Sequence, residues 1–138
     1  MLPSARMDMD GLKEFGTRYA SAWCSQNAAS VAAFFEEDGS LQINGGSLSA
    51  GRAAIAAVAQ SFMTPFPDMI VSLDDVSMRG EAAIFRWTLT GTNSGPNGTG
   101  RPVRISGHEE WRFGPNSLIG VSKGCFDESD YRRQLQAG

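Results

Sequence analysis

Residues 103–113, VRISGHEEWRF, decide the fold, because apolar and polar side chains alternate along them. Such alternation predicts a strand with one face in the core. The odd positions form the apolar face, and this parity turns Glu109 into the interior and His108 outward. A bulge between residues 105 and 111 would invert the assignment. The other odd residues are Val103, Ile105, Gly107, Trp111 and Phe113, and the other even ones include Glu110 and Arg112.

The preceding segment, residues 82–92, has the same pattern. Phe85 and Trp87 fall on its apolar face, and Arg86 falls on the other face. Two neighbouring strands would therefore bring Arg86, His108 and Glu110 together outside the core. We interpret this outer face either as a solvated charge network or as the contact of a homodimer.

Helices are predicted ahead of these strands. Apolar residues at spacings of three and four indicate a helix in residues 10–27, capped by Asp10, and a shorter one in 28–38, capped by Asn27 and ended by Gly39. A short strand follows in 40–46, and Ser49 caps a third helix over 50–64. The acids of FEED, 35–38, and DESD, 127–130, are expected to be solvated at helix ends.

Strands are expected at about 69–78, 82–92, 101–113 and 117–126, and Asp127 is expected to cap a last helix. This order predicts an α+β domain in which a curved antiparallel sheet wraps around the N-terminal helices. Such a sheet leaves a cone-shaped cavity that suits a small apolar ligand. We expect one domain over residues 10–138, after a poorly ordered N-terminus over residues 1–9.

The bulk composition argues against several classes of protein. The formal net charge of −3 and the scattered arginines make nucleic acid and anionic membranes poor partners. No apolar stretch approaches the roughly 20 residues that cross a bilayer, and MLPSARMDMD lacks a signal-peptide core, so a cytoplasmic location with reduced Cys24 and Cys125 is expected. One histidine and two distant cysteines give no metal-ligand spacing, and no cofactor is expected.

An inward Glu109 is costly, because burying an ionised carboxylate costs several kcal/mol. The usual outcome is a raised pKa and a protonated acid that can donate a hydrogen bond. Glu109 is therefore a candidate functional residue. The alternative is a structural carboxyl satisfied by a backbone amide, an arginine or a water.

The order of elements and several short motifs resemble the nuclear-transport-factor-2-like superfamily, most of all its SnoaL-like polyketide cyclases. The resemblance covers residues 10–136 and implies a cystatin-like α+β fold. The superfamily hosts isomerases, cyclases, dehydratases, epoxide hydrolases and non-catalytic binding domains, so the fold alone does not fix a function. The motifs are YASAW at 19–23, VAAFF at 31–35, FPD at 66–68, GTNSGP at 91–96, and the WRF, LI and FD of the last strands.

The ketosteroid isomerases of this superfamily imply specific positions. Their oxyanion-hole tyrosine matches Tyr19 and their protonated late-strand acid matches Glu109. Their aspartate base matches Ile43, and the adjacent Asn44 is not basic. The resemblance therefore implies an oxyanion pair without its base.

The SnoaL-like cyclases place an acid on the last strand and a histidine on the strand before it. These positions match Ser122 and Gly107, or Lys123 and His108 if the register slips by one, and neither register supplies the carboxylate. Of the two acids and the arginine that epoxide hydrolases require, only Glu109 is well placed.

Two hypotheses follow. In the first, the protein is a metal-free isomerase, cyclase or lyase for a small apolar carbonyl compound, with Tyr19 and Glu109 as catalytic donors. In the second, it is a non-catalytic ligand-binding or dimerisation module. In both, the predicted pocket-lining residues are Trp23, Ile43, Phe62, Phe66, Trp87, Trp111 and Ser122.

Overall fold

The computed structural model describes residues 8–136. Its helices and strands follow the predicted order, with one further short strand ahead of the third helix. The helices are α1 (Met9–Cys24), α2 (Ala28–Ala32), α3 (Arg52–Met63) and α4 (Glu128–Gln136). The strands are β1 (Phe35–Ile43), β2 (Leu48–Ala50), β3 (Ile70–Arg79), β4 (Ala82–Thr92), β5 (Pro102–Phe113) and β6 (Ile119–Phe126).

The six strands form one curved open sheet in the order β2-β1-β6-β5-β4-β3. This confirms the α+β fold with helices against one face of a curved sheet. The sheet is not wholly antiparallel as predicted, because β1 and β6 run parallel. The buried apolar side chains of the helices and strands form one hydrophobic cluster.

The helix boundaries differ from the prediction in three places. Asp8, not Asp10, caps α1 by accepting a hydrogen bond from the Gly11 amide at 2.7 Å. Of the N-terminus expected to be poorly ordered, residues 1–7 lie outside the described residues, whereas Asp8 and Met9 belong to this cap and helix. The third helix begins at Arg52 because Ser49 is part of β2, and Gly51 precedes it at φ 90°.

The second helix ends at Ala32, seven residues before the predicted stop at Gly39. The segment from Phe35 pairs instead with β6 and becomes β1. Of the FEED acids, Glu37 and Asp38 are exposed as expected, but Glu36 is 4% exposed, which corrects the expectation for that residue. Its carboxylate accepts hydrogen bonds from the backbone amides of Asn116 and Leu118 and from the Asn116 side chain, and these lower its pKa. Glu36 thus fixes the turn between β5 and β6.

Strand β5 has the predicted parity. Glu109 is 7% exposed and Trp111 is fully buried, whereas Arg112 is exposed. The β4–β5 register is uninterrupted from Ala83↔Trp111 to Thr92↔Pro102, and the irregularity against β6 lies at Arg112/Phe113, outside the stretch where a bulge would have inverted the parity. The inward position of Glu109 follows from this register.

Candidate functional site

The Glu109 carboxyl is the centre of a buried hydrogen-bond cluster. Its Oε1 accepts from the Ser122 hydroxyl at 2.7 Å, the Trp111 indole N–H at 2.8 Å and the Tyr19 hydroxyl at 3.0 Å. Its Oε2 lies 3.1 Å from the same Tyr19 hydroxyl and has no other partner among the described residues. Oε1 is therefore fully engaged, and Oε2 is the oxygen with an open position.

Three elements bring these donors together. Tyr19 lies on the buried stripe of α1, at 0% exposure. Trp111 follows Glu109 by two residues and so shares its face of β5. Ser122 is the direct cross-strand partner of Trp111 on β6. The same register favours the SnoaL-type alignment on Ser122 over the one on Lys123 and His108. Ser122 points inward with Glu109, whereas Lys123 pairs with the outward Glu110 and His108 pairs with Cys125.

Burial and hydrogen bonding act on Glu109 in opposite directions. Burial disfavours the charged form and raises the pKa of Glu109, and the hydrogen bonds from Trp111, Ser122 and Tyr19 partly offset that rise. The pKa of Tyr19 is held well above its ordinary value, first by burial and then by the Glu109 charge. Tyr19 therefore stays protonated and donates, and Glu109 is the group that can change its charge.

Glu109 also forms part of the wall of a cavity of about 50 Å³. That volume accommodates roughly four water-sized groups, which corresponds to a ligand of about four to six non-hydrogen atoms, since bonded atoms lie closer together than separate waters. The wall is otherwise apolar apart from a cysteine and the two indole N–H groups. It is formed by Trp23, Leu41, Ile43, Phe62, Val71, Phe85, Trp87, Leu89, Glu109, Gly124, Cys125 and Phe126.

Four aromatic rings, which we call the ring girdle, follow one another around this wall: Trp23, Phe62, Phe126 and Trp87. Successive ring centroids lie 6.2, 6.3 and 6.1 Å apart. Three of the girdle rings are only partly buried, whereas the donors to Glu109 are wholly buried, so the cavity runs from the girdle inward to the carboxyl. Tyr131 of α4 packs outside the girdle, with centroids 5.6 Å from Phe126 and 6.5 Å from Phe62.

The structure places the predicted pocket residues in three different positions. Trp23, Ile43, Phe62 and Trp87 lie in the cavity wall. Trp111 and Ser122 lie behind Glu109, where they bond to its carboxyl. Phe66 lies outside the wall, fully buried beside Tyr131.

The predicted catalytic pair is brought together, but in a different arrangement from the one expected. Two parallel donors would both have to face the ligand. Instead Tyr19 is absent from the cavity wall and its single hydroxyl proton is directed to Glu109. The pair is therefore arranged in series, with Tyr19 donating to Glu109 and only Glu109 reaching the cavity.

The base position of the ketosteroid isomerases is apolar here, since Ile43 lies in the wall. Asn44 has a structural role: at φ 53° it turns the chain, and its side-chain oxygen accepts from the Phe126 amide at 2.9 Å. Asp127 is exposed and caps α4 by accepting from the Asp130 amide. Neither residue provides a second carboxylate in the cavity.

Several wall residues were not predicted. Parity alone could have identified most of them, because Phe85 and Leu89 share a strand face with Trp87, Leu41 shares one with Ile43, and Phe126 shares one with Ser122. Val71 carries no signal that separates a cavity wall from ordinary core. Gly124 was also missed, although it faces Glu109 directly across the β5–β6 pairing.

Within residues 8–136, no group of three or more histidine, cysteine or acidic side chains is arranged to hold a metal ion. Among the same residues, no helix is long and apolar enough to span a membrane. Both cysteines are free, and Cys24 bonds to the Val71 backbone.

Comparison with known proteins gives one family. The model of the SnoaL-like domain matches residues 17–119. Among curated proteins, no sequence matches this chain.

Three solved structures show the same architecture. A hypothetical protein with a ketosteroid isomerase-like fold from Catenulispora acidiphila, in complex with trimethylamine, has 18% identity and a TM-score of 0.77 over 88% of this chain and 92% of its own. A putative SnoaL-like polyketide cyclase from Jannaschia sp. CCS1 has 12% identity and a TM-score of 0.74, with 96% and 99% covered. The epoxide hydrolase/cyclase-like enzyme SalBIII has 19% identity and a TM-score of 0.74, with 89% and 95% covered. At these identities the likeness establishes the fold alone.

Proposed function

Because the chain belongs to the family of SnoaL-like domains, within the nuclear-transport-factor-2-like superfamily, we propose that its cavity binds a small, largely apolar molecule bearing one oxygen, such as a carbonyl compound. One observation carries the proposal: the Glu109 carboxyl, held by three donors, lies in a cavity wall that has no other side-chain oxygen. A neutral Glu109 would place its proton on Oε2, since Oε1 is occupied. That proton would bond to the ligand oxygen.

The small cavity volume narrows the size of this ligand. Pockets for drug-sized molecules enclose roughly 300–1,000 Å³, far more than the volume of about 50 Å³ found here. A bicyclic or steroid-sized compound would have to displace wall residues. We therefore take short ketones and similarly small compounds as the first ligands to test.

A second candidate function is acid catalysis of the isomerase or cyclase type. The raised pKa of Glu109 favours it, because a carboxyl that keeps its proton to a higher pH than an exposed carboxyl does can pass that proton to a reacting oxygen. SalBIII, of the same fold, has a role in pyran ring formation in the polyether salinomycin. The apolar Ile43 at the base position favours the non-catalytic alternative. Binding is therefore the primary proposal.

Binding can be tested with cyclopentanone carrying a ¹³C carbonyl, titrated into wild type and Glu109→Gln between pH 5 and 8. We expect binding to wild type to weaken as rising pH ionises Glu109, by tenfold or more across its pKa, since a carboxylate has no proton to donate. The amide of Glu109→Gln donates at every pH, so its binding should not depend on pH. Glu110→Gln, on the outer face of the same strand, is the matched control and should behave like wild type.

The same proposal fails if wild type and Glu109→Gln bind the ketone with identical pH dependence, or if folded wild type does not bind it at any pH. Catalysis is tested separately by exchange of the cyclopentanone α-protons in D₂O. If Glu109 protonates the carbonyl oxygen while a water accepts the α-proton, exchange should be faster with wild type and should slow by tenfold or more in Glu109→Gln. Binding without faster exchange would leave the non-catalytic function.

A further inference from the structure

The cavity wall contains a carboxyl group but no cationic side chain. None of its residues is a lysine, arginine or histidine. The three groups that bond to Glu109 are all neutral: a phenol, an indole and a hydroxyl. When Glu109 is ionised, its negative charge therefore has no positive partner, and burial makes such a charge costly.

The rest of the cavity wall favours a positively charged ligand. Five of its residues are aromatic: the four of the ring girdle and Phe85. Aromatic faces attract cations, and cages of such rings are a known way of binding alkylammonium groups. Phe85 is itself fixed by stacking on Trp111, at 4.8 Å and 15° between planes, and Trp111 in turn donates to Glu109. Phe85 and the Glu109 carboxylate are thus held in fixed positions relative to each other.

Size points to the same chemical class. A trimethylammonium group has four non-hydrogen atoms, which matches the roughly four water-sized groups that about 50 Å³ can hold. Its one N–H can donate to Oε2, the carboxylate oxygen with an open position. Its three methyl groups would contact the rings.

We propose that the cavity, with Glu109 ionised, is a binding site for small tertiary alkylammonium ions, with Glu109 as the counter-charge and the ring girdle as the cage. This inference rests on the proposed ligand-binding role of the cavity. It adds that one residue selects between two ligand classes: neutral Glu109 takes an oxygen acceptor, and ionised Glu109 takes a cation.

The pH dependence is assigned to Glu109 because few other groups around it can titrate. On α1 it faces Tyr19, which stays protonated. On β6 it faces Ser122 and Gly124, and its β4 partner is Phe85. Cys125 belongs to the wall but is largely exposed, and Tyr131 lies outside the girdle.

The experiment titrates trimethylammonium chloride and, as its neutral counterpart, tert-butanol into wild type from pH 5 to 8, followed by NMR line broadening. The ammonium keeps its charge in this range, since aliphatic amines titrate near pH ~10. We expect trimethylammonium to bind more tightly as pH rises, with a change of tenfold or more across the Glu109 pKa. tert-Butanol should show no such gain.

Three variants make the test specific. Glu109→Gln should weaken trimethylammonium binding at pH 8 by tenfold or more, while Glu110→Gln should leave it unchanged. Trp87→Leu should weaken binding of the ammonium more than binding of tert-butanol, because it removes an aromatic ring but keeps an apolar wall. Circular dichroism would confirm that each variant is folded.

The outcomes separate this inference from the proposed function. Equal ammonium binding by wild type and Glu109→Gln overturns the inference. So does ketone binding at low pH without ammonium binding at high pH, and that result leaves the proposed function intact. If neither ligand binds folded wild type, both are wrong.

Discussion

At the scale of single residues, the Glu109 cluster shows why a buried acid is tolerated. Tyr19, Trp111 and Ser122 each direct a donor at the carboxyl, and no buried side-chain nitrogen or oxygen among the described residues lacks a partner. Truncation to alanine would leave three buried donors unpaired, at about 1–3 kcal/mol each. The carboxyl therefore stabilises its neighbours even though its own charge is costly.

The raised pKa of Glu109 predicts how stability depends on pH. The folded chain retains the proton at a pH where the unfolded chain has released it, so this contribution is fully present below the unfolded pKa and is lost as pH rises through the folded pKa. Glu109→Gln removes that loss. We expect urea denaturation to show that the free energy of unfolding of the variant is within about 1 kcal/mol of that of wild type at pH 5, and that it exceeds the wild-type value as pH rises through the pKa of Glu109 in the folded chain. If the difference in free energy of unfolding between Glu109→Gln and wild type stayed constant from pH 5 to 8, that result would contradict the raised pKa of Glu109.

Part of this site follows from the sequence and part does not. The inward direction of Glu109 follows from the period-two pattern of β5, because parity needs only local information. The serial arrangement of Tyr19 and Glu109 does not, since it depends on the distance between α1 and β5. Glu36 was missed because residues 34–39 suit a helix and a strand equally well, and only pairing with β6 decides between them.

At the scale of elements, Gly107 of β5 and Gly124 of β6 have opposite roles. A Cβ on Gly107 would lie 2.4 Å from the Cys125 carbonyl oxygen and 2.7 Å from the Trp87 ring. A Cβ on Gly124 would lie 3.6 Å from Glu109 and 3.7 Å from Ile43, which are ordinary contacts. The first glycine is required by packing, and the second leaves space in the cavity.

These distances predict different outcomes for two otherwise identical substitutions. Gly107→Ala should destabilise the fold by about 1–3 kcal/mol, as overpacking does. Gly124→Ala should change stability by no more than about 0.5 kcal/mol, yet weaken cyclopentanone binding at pH 5 by narrowing the cavity. Thermal unfolding and the ketone titration measure the two effects. Equal stabilities, or unchanged binding by Gly124→Ala, would contradict the packing argument.

The sequence predicted helix α4 but not its contact with the backbone of strand β5. Strand β6 reaches only as far as Gly107 along β5. Beyond that point the Gln134 side chain takes the place of a strand: its oxygen accepts from the Arg104 amide at 2.7 Å and its nitrogen donates to the Arg104 carbonyl at 2.8 Å. A single glutamine on a polar helix gives no sequence signal of this, because the partner is a backbone.

At the scale of the whole molecule, the helix boundaries were predicted less well than the strands. Strands β3 to β6 begin and end within two residues of the prediction, because long alternating segments are read locally. The parallel pairing of β1 with β6 was not predicted, since these strands lie at opposite ends of the chain. Pairing between residues far apart in the sequence therefore determined the part of the sheet that local periodicity did not predict.

The outer face of the sheet remains the predicted homodimer contact. Arg86 is exposed there, directly opposite His108 in the β4–β5 pairing, with Glu110 two residues further along β5. If two copies pack through this face, Arg86→Glu should convert dimer to monomer in light scattering. Lys13→Glu makes the same charge change on the exposed side of α1 and should leave the dimer intact. An unaltered oligomer in Arg86→Glu would exclude this contact.

The pairing of β1 with β6 also bears on how the chain is synthesised. Leu41 and Ile43 pair with Ser122 and Gly124, so β1 cannot complete its pairing until residues about 80 positions later have been translated. Until β6 leaves the ribosome, β1 and β5 both present unpaired strand edges, the kind that associate with other chains. Nascent or truncated chains that stop before residue 119 should therefore depend on chaperones and aggregate readily when these are scarce.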